Sequence, residues 1–160
     1  DRVTGIGDTW LRFKWNFAGD EVSGAAWSTL PYIKIPSGDS GVSNGIWEPG
    51  IALIYGQPFG DAGILNATFA VDSVQGDFCK REELFAWSFA YRYHSGWFGE
   101  LGGEYVADSP GPAPAVVALG YAHELTPSLV GEIECYAGLN RATEDFRIVI
   151  RVIWEVPFLQ

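Results

Sequence analysis

The sequence predicts an all-β fold, specifically an antiparallel up-and-down transmembrane β-barrel formed by a single domain over residues 1–160. Three observations predict it. Large apolar residues alternate with small or polar ones in segment after segment, a period of two that is typical of strands between two different environments. No apolar stretch is long enough for a transmembrane helix. Aromatic residues make up 15% of the chain and charged residues only 19%, against roughly 25% charged residues in average soluble domains.

The alternation predicts about nine strands, most of them near the length that a tilted membrane strand needs. They cover residues 9–17, 27–35, 47–55, 65–72, 85–93, 97–108, 117–124, 132–137 and 146–156. Short turns are predicted at 56–60, 94–96 and 126–128, and longer connections at 36–45, 73–83 and 108–114. Short and long connections alternate in outer-membrane barrels, where the tight turns face the periplasm. The connection over 139–145 is shorter than this rule predicts.

The two faces of the predicted strands differ in chemistry. One face carries large apolar side chains, with Trp and Tyr gathered toward strand ends as in the aromatic girdles of membrane barrels. The other face combines small residues, such as Ala86 and Gly120, with charges of both signs. Soluble β proteins also alternate, but they place their apolar side inward. We therefore assign the small, charged face to a narrow lumen and the apolar face to lipid.

The charged residues of the face assigned to the lumen are the candidate site. The predicted lumen-lining residues are Arg12, Lys14, Lys34, Glu48, Arg92, Glu100, Glu104, Glu132, Glu134, Arg147 and Arg151. Because unpaired charge is costly in a low-dielectric interior, ion pairs or water are expected around them. Adjacent strands are predicted for the glutamates, and the next strand for Arg147 and Arg151; the glutamates are Glu100, Glu104, Glu132 and Glu134. Two interpretations stay open: a structural ion-pair ladder, which we favour, and a polar constriction that selects solutes.

Several classes of function are excluded by composition and spacing. The formal net charge is −10 and no basic cluster is present, so no nucleic-acid partner is expected. Cys79 falls in a predicted loop and Cys135 within a strand, which favours two free thiols. His94 and His123 lie far from both cysteines, so neither a metal site nor a cofactor is predicted.

An enzymatic role is not expected either. His94 and Ser95 are the residue types of a lipid hydrolase, but they fall in a predicted tight periplasmic turn. No acidic residue is placed to orient the histidine, as a catalytic triad requires. We therefore assign no catalytic residue.

Three segments resemble the MetA-pathway of phenol degradation family. Residues 5–15, which read GIGDTWLRFKW, are similar to the family's G-x-G-D-x-x-L-x-x-K-aromatic segment. Residues 30–39, LPYIKIPSGD, are similar to one of its strand-and-loop segments, and residues 125–129 to a late periplasmic turn. The resemblance implies an outer-membrane barrel of about twelve strands and passage of small, often hydrophobic compounds. It implies no catalytic residue.

An odd strand number is a problem for a barrel, since single bacterial chains use even numbers and an open strand edge is not tolerated in lipid. We expect a barrel of about 10–12 strands, with further N-terminal strands that this sequence lacks. A strand count wrong by one, or closure by another chain, are the alternatives.

The function predicted is a channel or transporter in the bacterial outer membrane for small, hydrophobic or aromatic compounds, with the lipid bilayer as its main partner. A first alternative is a non-conducting outer-membrane barrel that serves as a scaffold or binds a partner chain or further copies. A second alternative is a soluble β-barrel that binds an apolar ligand. Monodispersity without detergent would favour the soluble barrel, and flux across a bilayer would favour the channel.

Overall fold

A computed structural model describes residues 5–20, 24–60, 63–75, 80–107, 112–143 and 145–154. These residues form strands and connections. The strands are β1 (Thr9–Arg12), β2 (Trp15–Gly19), β3 (Ala26–Ile35), β4 (Glu48–Phe59), β5 (Gly63–Gln75), β6 (Arg81–Tyr93), β7 (Trp97–Val106), β8 (Ala115–Thr126), β9 (Leu129–Gly138) and β10 (Phe146–Trp154). In this part of the chain, no helix has the length and apolarity to cross a membrane.

The strands form one antiparallel, up-and-down sheet. From β3 to β10 each strand pairs with the next one along the chain. β1 and β2 both pair with β3 and form two halves of one edge strand, because the N–H of Phe13 still donates to the carbonyl of Pro31 between them. The all-β class and the nine strands are thus confirmed. The sheet is an open half-barrel, since β1 and β10 are not paired with each other within the described residues.

Two predicted connections were wrong in position. The turn predicted at 56–60 lies later, because β4 continues to Phe59, which pairs with Gly63. Pro58 is tolerated there because the pairing of β3 with β4 ends at Gly56, so no described strand needs an N–H on that side. The connection predicted over 73–83 is shorter, because β5 and β6 keep pairing as far as Gln75 and Arg81. Polar residues occupy both faces in that stretch, so the alternation disappears while the backbone ladder continues.

The other short turns lie where the alternation predicts them. Between β6 and β7 the N–H of Gly96 donates to the carbonyl of Tyr93 at 3.0 Å. Gly96 adopts φ of 95°, a conformation that favours glycine. Pro127 and Ser128 alone connect β8 to β9. We call this end of the sheet the short-turn end.

The sheet is curled, with the small and charged residues on its concave side. Arg92 of β6 contacts Glu132 of β9 although β7 and β8 lie between them. In a flat sheet the three strand spacings would separate the two backbones by about 14 Å. We call this concave side the inner face and the opposite side the outer face. The buried apolar residues of the described chain are Ala26, Ala52, Phe98, Ala118 and Ala122, and all belong to the inner face.

Candidate functional site: the inner face of the sheet

The register places nearly all the predicted site residues on the inner face. These residues are Arg12, Lys34, Glu48, Arg92, Glu100, Glu104, Glu132, Glu134, Arg147 and Arg151. Directly opposed residues of antiparallel strands share a face, and the opposed pairs form continuous rows across the sheet. Lys14 differs, because it lies in the break between β1 and β2 and is exposed.

A cluster of arginine and glutamate side chains occupies the inner face near the short-turn end. We call Arg92, Glu132, Glu134, Tyr136 and Arg151 the arginine–glutamate network. Arg151 bonds both carboxylates, at 2.7 Å from Nη1 to Oε2 of Glu134, and donates to the Tyr136 hydroxyl at 3.1 Å. Arg92 Nη2 donates to Oε2 of Glu132 at 3.2 Å. The side chains of Glu134 and Glu132 are only 1% and 5% exposed, so their charges are compensated by the two guanidinium groups.

Phe98 and Gly120 form the floor beneath Arg92. The Phe98 ring lies so close over Gly120 that a β-carbon at position 120 would collide with its Cζ. The guanidinium of Arg92 lies over the same ring, 4.6 Å from its centroid. Only glycine at position 120 lets the Phe98 ring lie this close to the backbone of β8. Arg92 therefore passes over β7 and β8, in contact with the ring, to reach Glu132.

A second cluster lies at the opposite end of the sheet. Lys34 Nζ lies 2.6 Å from Oε2 of Glu48 and 3.5 Å from Oδ2 of Asp8, and it donates to Oδ1 of Asn44 at 2.8 Å. The Asn44 amide donates in turn to Oε1 of Glu48 at 2.7 Å. We call these four residues the Lys34 cluster. It ties the segment before β1 and the connection between β3 and β4 to the ends of two strands.

Hydrogen bonds and charge hold the pKa of Asp8 below its ordinary value. The Ser43 hydroxyl contributes most, followed by the N–H of Gly38 at 3.0 Å and the Lys34 ammonium, and together they outweigh the opposing effect of desolvation. Asp8 is therefore ionised at neutral pH and acts as an acceptor that holds the loop at Gly38.

A groove of about 480 Å³ lies on the inner face between the two clusters. Its polar lining comes from Thr68, Ser88, Glu100, Glu104, Tyr136, Thr143 and Arg147, and small residues such as Ala70, Ala86 and Gly102 form much of the rest. The Arg147 guanidinium stacks on the Tyr136 ring at 4.6 Å. No described side chain bonds the carboxylates of Glu100 or Glu104. The groove therefore presents two unpaired carboxylates and several hydroxyl groups beside small apolar side chains.

The predicted ion-pair ladder is only partly realised. Arg151 pairs with glutamates of the neighbouring strand, whereas Arg147 stacks on an aromatic ring. The prediction that Glu100 and Glu104 lie on a strand adjacent to that of Glu132 was wrong, because β8 lies between β7 and β9. β8 contributes only small residues to this part of the inner face, so it added no charge from which the pairing could be inferred.

Residues with reactive side chains lie elsewhere. Cys135 is a free, exposed cysteine on the outer face of β9, opposite Leu119, and Cys79 lies outside the described residues. His123 stacks on Tyr121 with ring centroids 6.2 Å apart, and His94 is exposed in the turn after β6. Among the described residues, no group of three His, Cys, Asp or Glu side chains could hold a metal ion.

The family model described as "Putative MetA-pathway of phenol degradation" matches residues 1–147, nearly the whole chain. The chain belongs to this family. The family's description associates the chain with phenol degradation. No curated protein and no solved structure matched.

In this member of the phenol-degradation family, the structure adds residues that charge patterning missed. Asp8 and Asn44 complete the Lys34 cluster, and Phe98 and Gly120 support Arg92. The sequence did indicate Asp8, since this residue belongs to the glycine-rich segment that resembles the family. The sequence did not indicate Phe98, because one aromatic residue at an inner-face position of β7 resembles an irregularity in the alternation.

Proposed function

We propose that this protein is an outer-membrane β-barrel that passes small, hydrophobic or aromatic compounds and has no catalytic role. The observation that carries the proposal is the inverted distribution of side chains. Large apolar residues are exposed along the outer face, with Leu119 at 61% and Ile150 at 75% exposure, while the buried apolar residues are mostly alanine. A soluble protein rarely exposes so continuous an apolar surface, whereas lipid covers such a surface favourably.

The aromatic residues of the outer face support a membrane location. Near the short-turn end, Trp97 and Tyr121 have ring centroids 5.1 Å apart, and Tyr91 and Tyr93 are 4.7 Å apart. Aromatic side chains with a polar atom favour the interface between lipid and water. On β6 the apolar outer-face positions run from Phe85 to Tyr93, which spans about 26 Å along the strand. At the usual strand tilt of about 40° this run rises about 20 Å, and most of the apolar band of known membrane barrels, about 25 Å high, is thereby covered.

The inner face supports the passage of solutes. Its groove combines hydroxyl groups, unpaired carboxylates and short apolar side chains, which suits molecules with an aromatic body and a polar group. The family's association with phenol degradation agrees with that chemistry. The main alternative is a scaffold that does not conduct. The side chains of the arginine–glutamate network fill part of the inner face, and this observation favours the scaffold.

The absence of a catalytic role is part of the proposal. His94 and Ser95 lie in an exposed turn, and His123 lies on the outer face against Tyr121. Neither histidine lies in the groove that contains the free carboxylates.

The test has two steps. First, the protein is purified with and without detergent, and its dispersity is measured by size-exclusion chromatography with light scattering. We expect aggregation without detergent, and a monodisperse detergent-free monomer would contradict the membrane location. Second, protein in vesicles is assayed for entry of small phenolic and uncharged solutes. Entry faster than into protein-free vesicles is expected, and folded protein without any flux would favour the scaffold.

A further inference from the structure

We propose that Arg92 forms a bar across the inner face at the short-turn end and limits the size of the solutes that pass. The inference rests on the proposed function and names the residue that sets its size limit. Arg92 joins two strands that are not neighbours, β6 and β9. A contact of this kind spans the concave side, whereas the pairs made by Arg151 connect neighbouring strands.

The residues beneath Arg92 leave the space that its side chain crosses. Between Arg92 and Glu132, β7 contributes Phe98, and β8 contributes Gly120 and Ala122. The Phe98 ring covers Gly120, and the guanidinium lies over that ring. Bulkier side chains at these two positions of β8 would occupy the space that Arg92 crosses. The absence of side-chain bulk therefore lets one long side chain form the uppermost layer on this part of the inner face.

Arg92 also has fewer hydrogen-bond partners than Arg151 in the arginine–glutamate network. Arg151 binds two carboxylates and the Tyr136 hydroxyl, and Arg92 has a single carboxylate partner. Glu132 keeps the Arg151 bond when Arg92 moves away, so no buried carboxylate is left unpaired. The side chain of Arg92 is 44% exposed toward the concave side. Removing the bar therefore opens this level of the inner face and leaves the rest of the network in place.

The experiment compares two substitutions that remove the same charge from the same strand. Arg92→Gln removes the bar, and Arg81→Gln removes a guanidinium on the outer face of β6 that donates to the Ser73 carbonyl. The protein and both variants are refolded into vesicles, and the swelling rate is measured with uncharged sugars and polyethylene glycols of increasing size. We expect Arg92→Gln to raise the entry of the larger solutes at least about twofold, because flux follows the free cross-section of a pore. Arg81→Gln should leave the size limit unchanged, because its side chain lies on the opposite face of the sheet.

Arg92→Lys separates charge from reach, because it keeps the cation and loses the forked guanidinium. It should give a size limit between those of the natural protein and Arg92→Gln, and it supplies the test if the glutamine variant fails to refold on a heat-modifiability gel. Equal size limits in the natural protein and both Arg92 variants, with measurable flux in all, would overturn the bar and leave the proposed function standing. Vesicles that no solute enters, with any variant, would overturn both. Flux only after removal of Arg92 would show that the bar closes the passage.

Discussion

Gly120 and Phe98 fit each other so closely that a β-carbon on the glycine would overlap the ring. The ring in turn is the surface on which the Arg92 guanidinium rests. A glycine in the middle of β8 normally weakens a strand, since it has no side chain to pack and more backbone freedom to lose. Here the missing side chain creates the space that an aromatic ring fills. The pair therefore links the backbone of β8 to the position of a charged side chain two strands away.

Gly120→Ala should destabilise the folded protein because the ring of Phe98 must move. Overpacking of this kind typically costs about 1–3 kcal/mol. The free energy of unfolding is measured by urea titration in phospholipid vesicles, followed by tryptophan fluorescence. Gly99→Ala is the matched control, because a β-carbon at Gly99 would meet only the Ala118 carbonyl oxygen at an ordinary 3.8 Å. Equal unfolding free energies for the two variants would contradict the tight fit.

Arg151→Ala should cost far more stability than Arg147→Ala. Both residues lie on the inner face of β10, four positions apart. Loss of Arg151 leaves Glu134, 1% exposed, without a cation, although Glu132 keeps Arg92. Breaking a buried pair costs about 3–5 kcal/mol, and the partial exposure of Arg151 lowers our expectation to about 2–3 kcal/mol. Arg147→Ala loses a ring contact, at most about 1 kcal/mol.

The same urea titration measures both variants. Glu104→Gln serves as the control for removal of a carboxylate from the groove and should change the unfolding free energy by less than about 0.5 kcal/mol. If Arg147→Ala proved as costly as Arg151→Ala, the two arginines would act as rungs of one ladder, contrary to the geometry.

The strands could be predicted from the sequence because outer-face and inner-face positions carry opposite residue types. β6 shows this best: Phe85, Trp87 and Phe89 alternate with Ala86 and Ser88, and the structure places the two sets on opposite faces. Prediction failed where this contrast is lost, as at the polar ends of β5 and β6 around Gln75 and Arg81. There backbone hydrogen bonds keep the strands paired, and side-chain periodicity carries no information about them.

The face of each charged residue could be predicted, but its partner could not. Parity along a strand places Arg92 and Glu132 on the same face. Their contact also depends on how tightly the sheet curls and on the small residues that lie between them. Similarly, Lys34 pairs with Asp8, which lies in a segment outside the strands. Such contacts are properties of the assembled sheet, so no local pattern in the sequence reveals them.

Acid should release the loop that Asp8 holds. The pKa of Asp8 is lower in the folded protein than its ordinary value of 3.8, so its ionised form stabilises the fold. This stabilisation is fully present above about pH 4 and is lost as the pH falls through the lowered pKa of the folded state. The amide of Gly38, which donates to Asp8, should report the change in its NMR chemical shift. We expect a midpoint below 3.8, and Asp8→Asn should remove the transition. A midpoint at or above 3.8 would contradict the assigned hydrogen bonds.

A charge placed on the outer face distinguishes lipid from water around the sheet. Leu119 lies near the middle of β8 and is 61% exposed, and Leu125 lies near its end and is 56% exposed. In lipid, Leu119→Arg should lower the unfolding free energy by about 2–4 kcal/mol and Leu125→Arg by about 1 kcal/mol or less, because the cost of a charge falls toward the interface.

In water the two substitutions would cost equally little, since each replaces an exposed apolar side chain by a solvated one. Urea titrations in vesicles of both variants therefore measure a depth profile. A difference between Leu119→Arg and Leu125→Arg in the expected direction requires a low-dielectric medium against the centre of the outer face. Equal and small effects would place that face in water. The exposed apolar surface would then have to be explained by contact with another protein or with an apolar ligand, because water alone does not stabilise it.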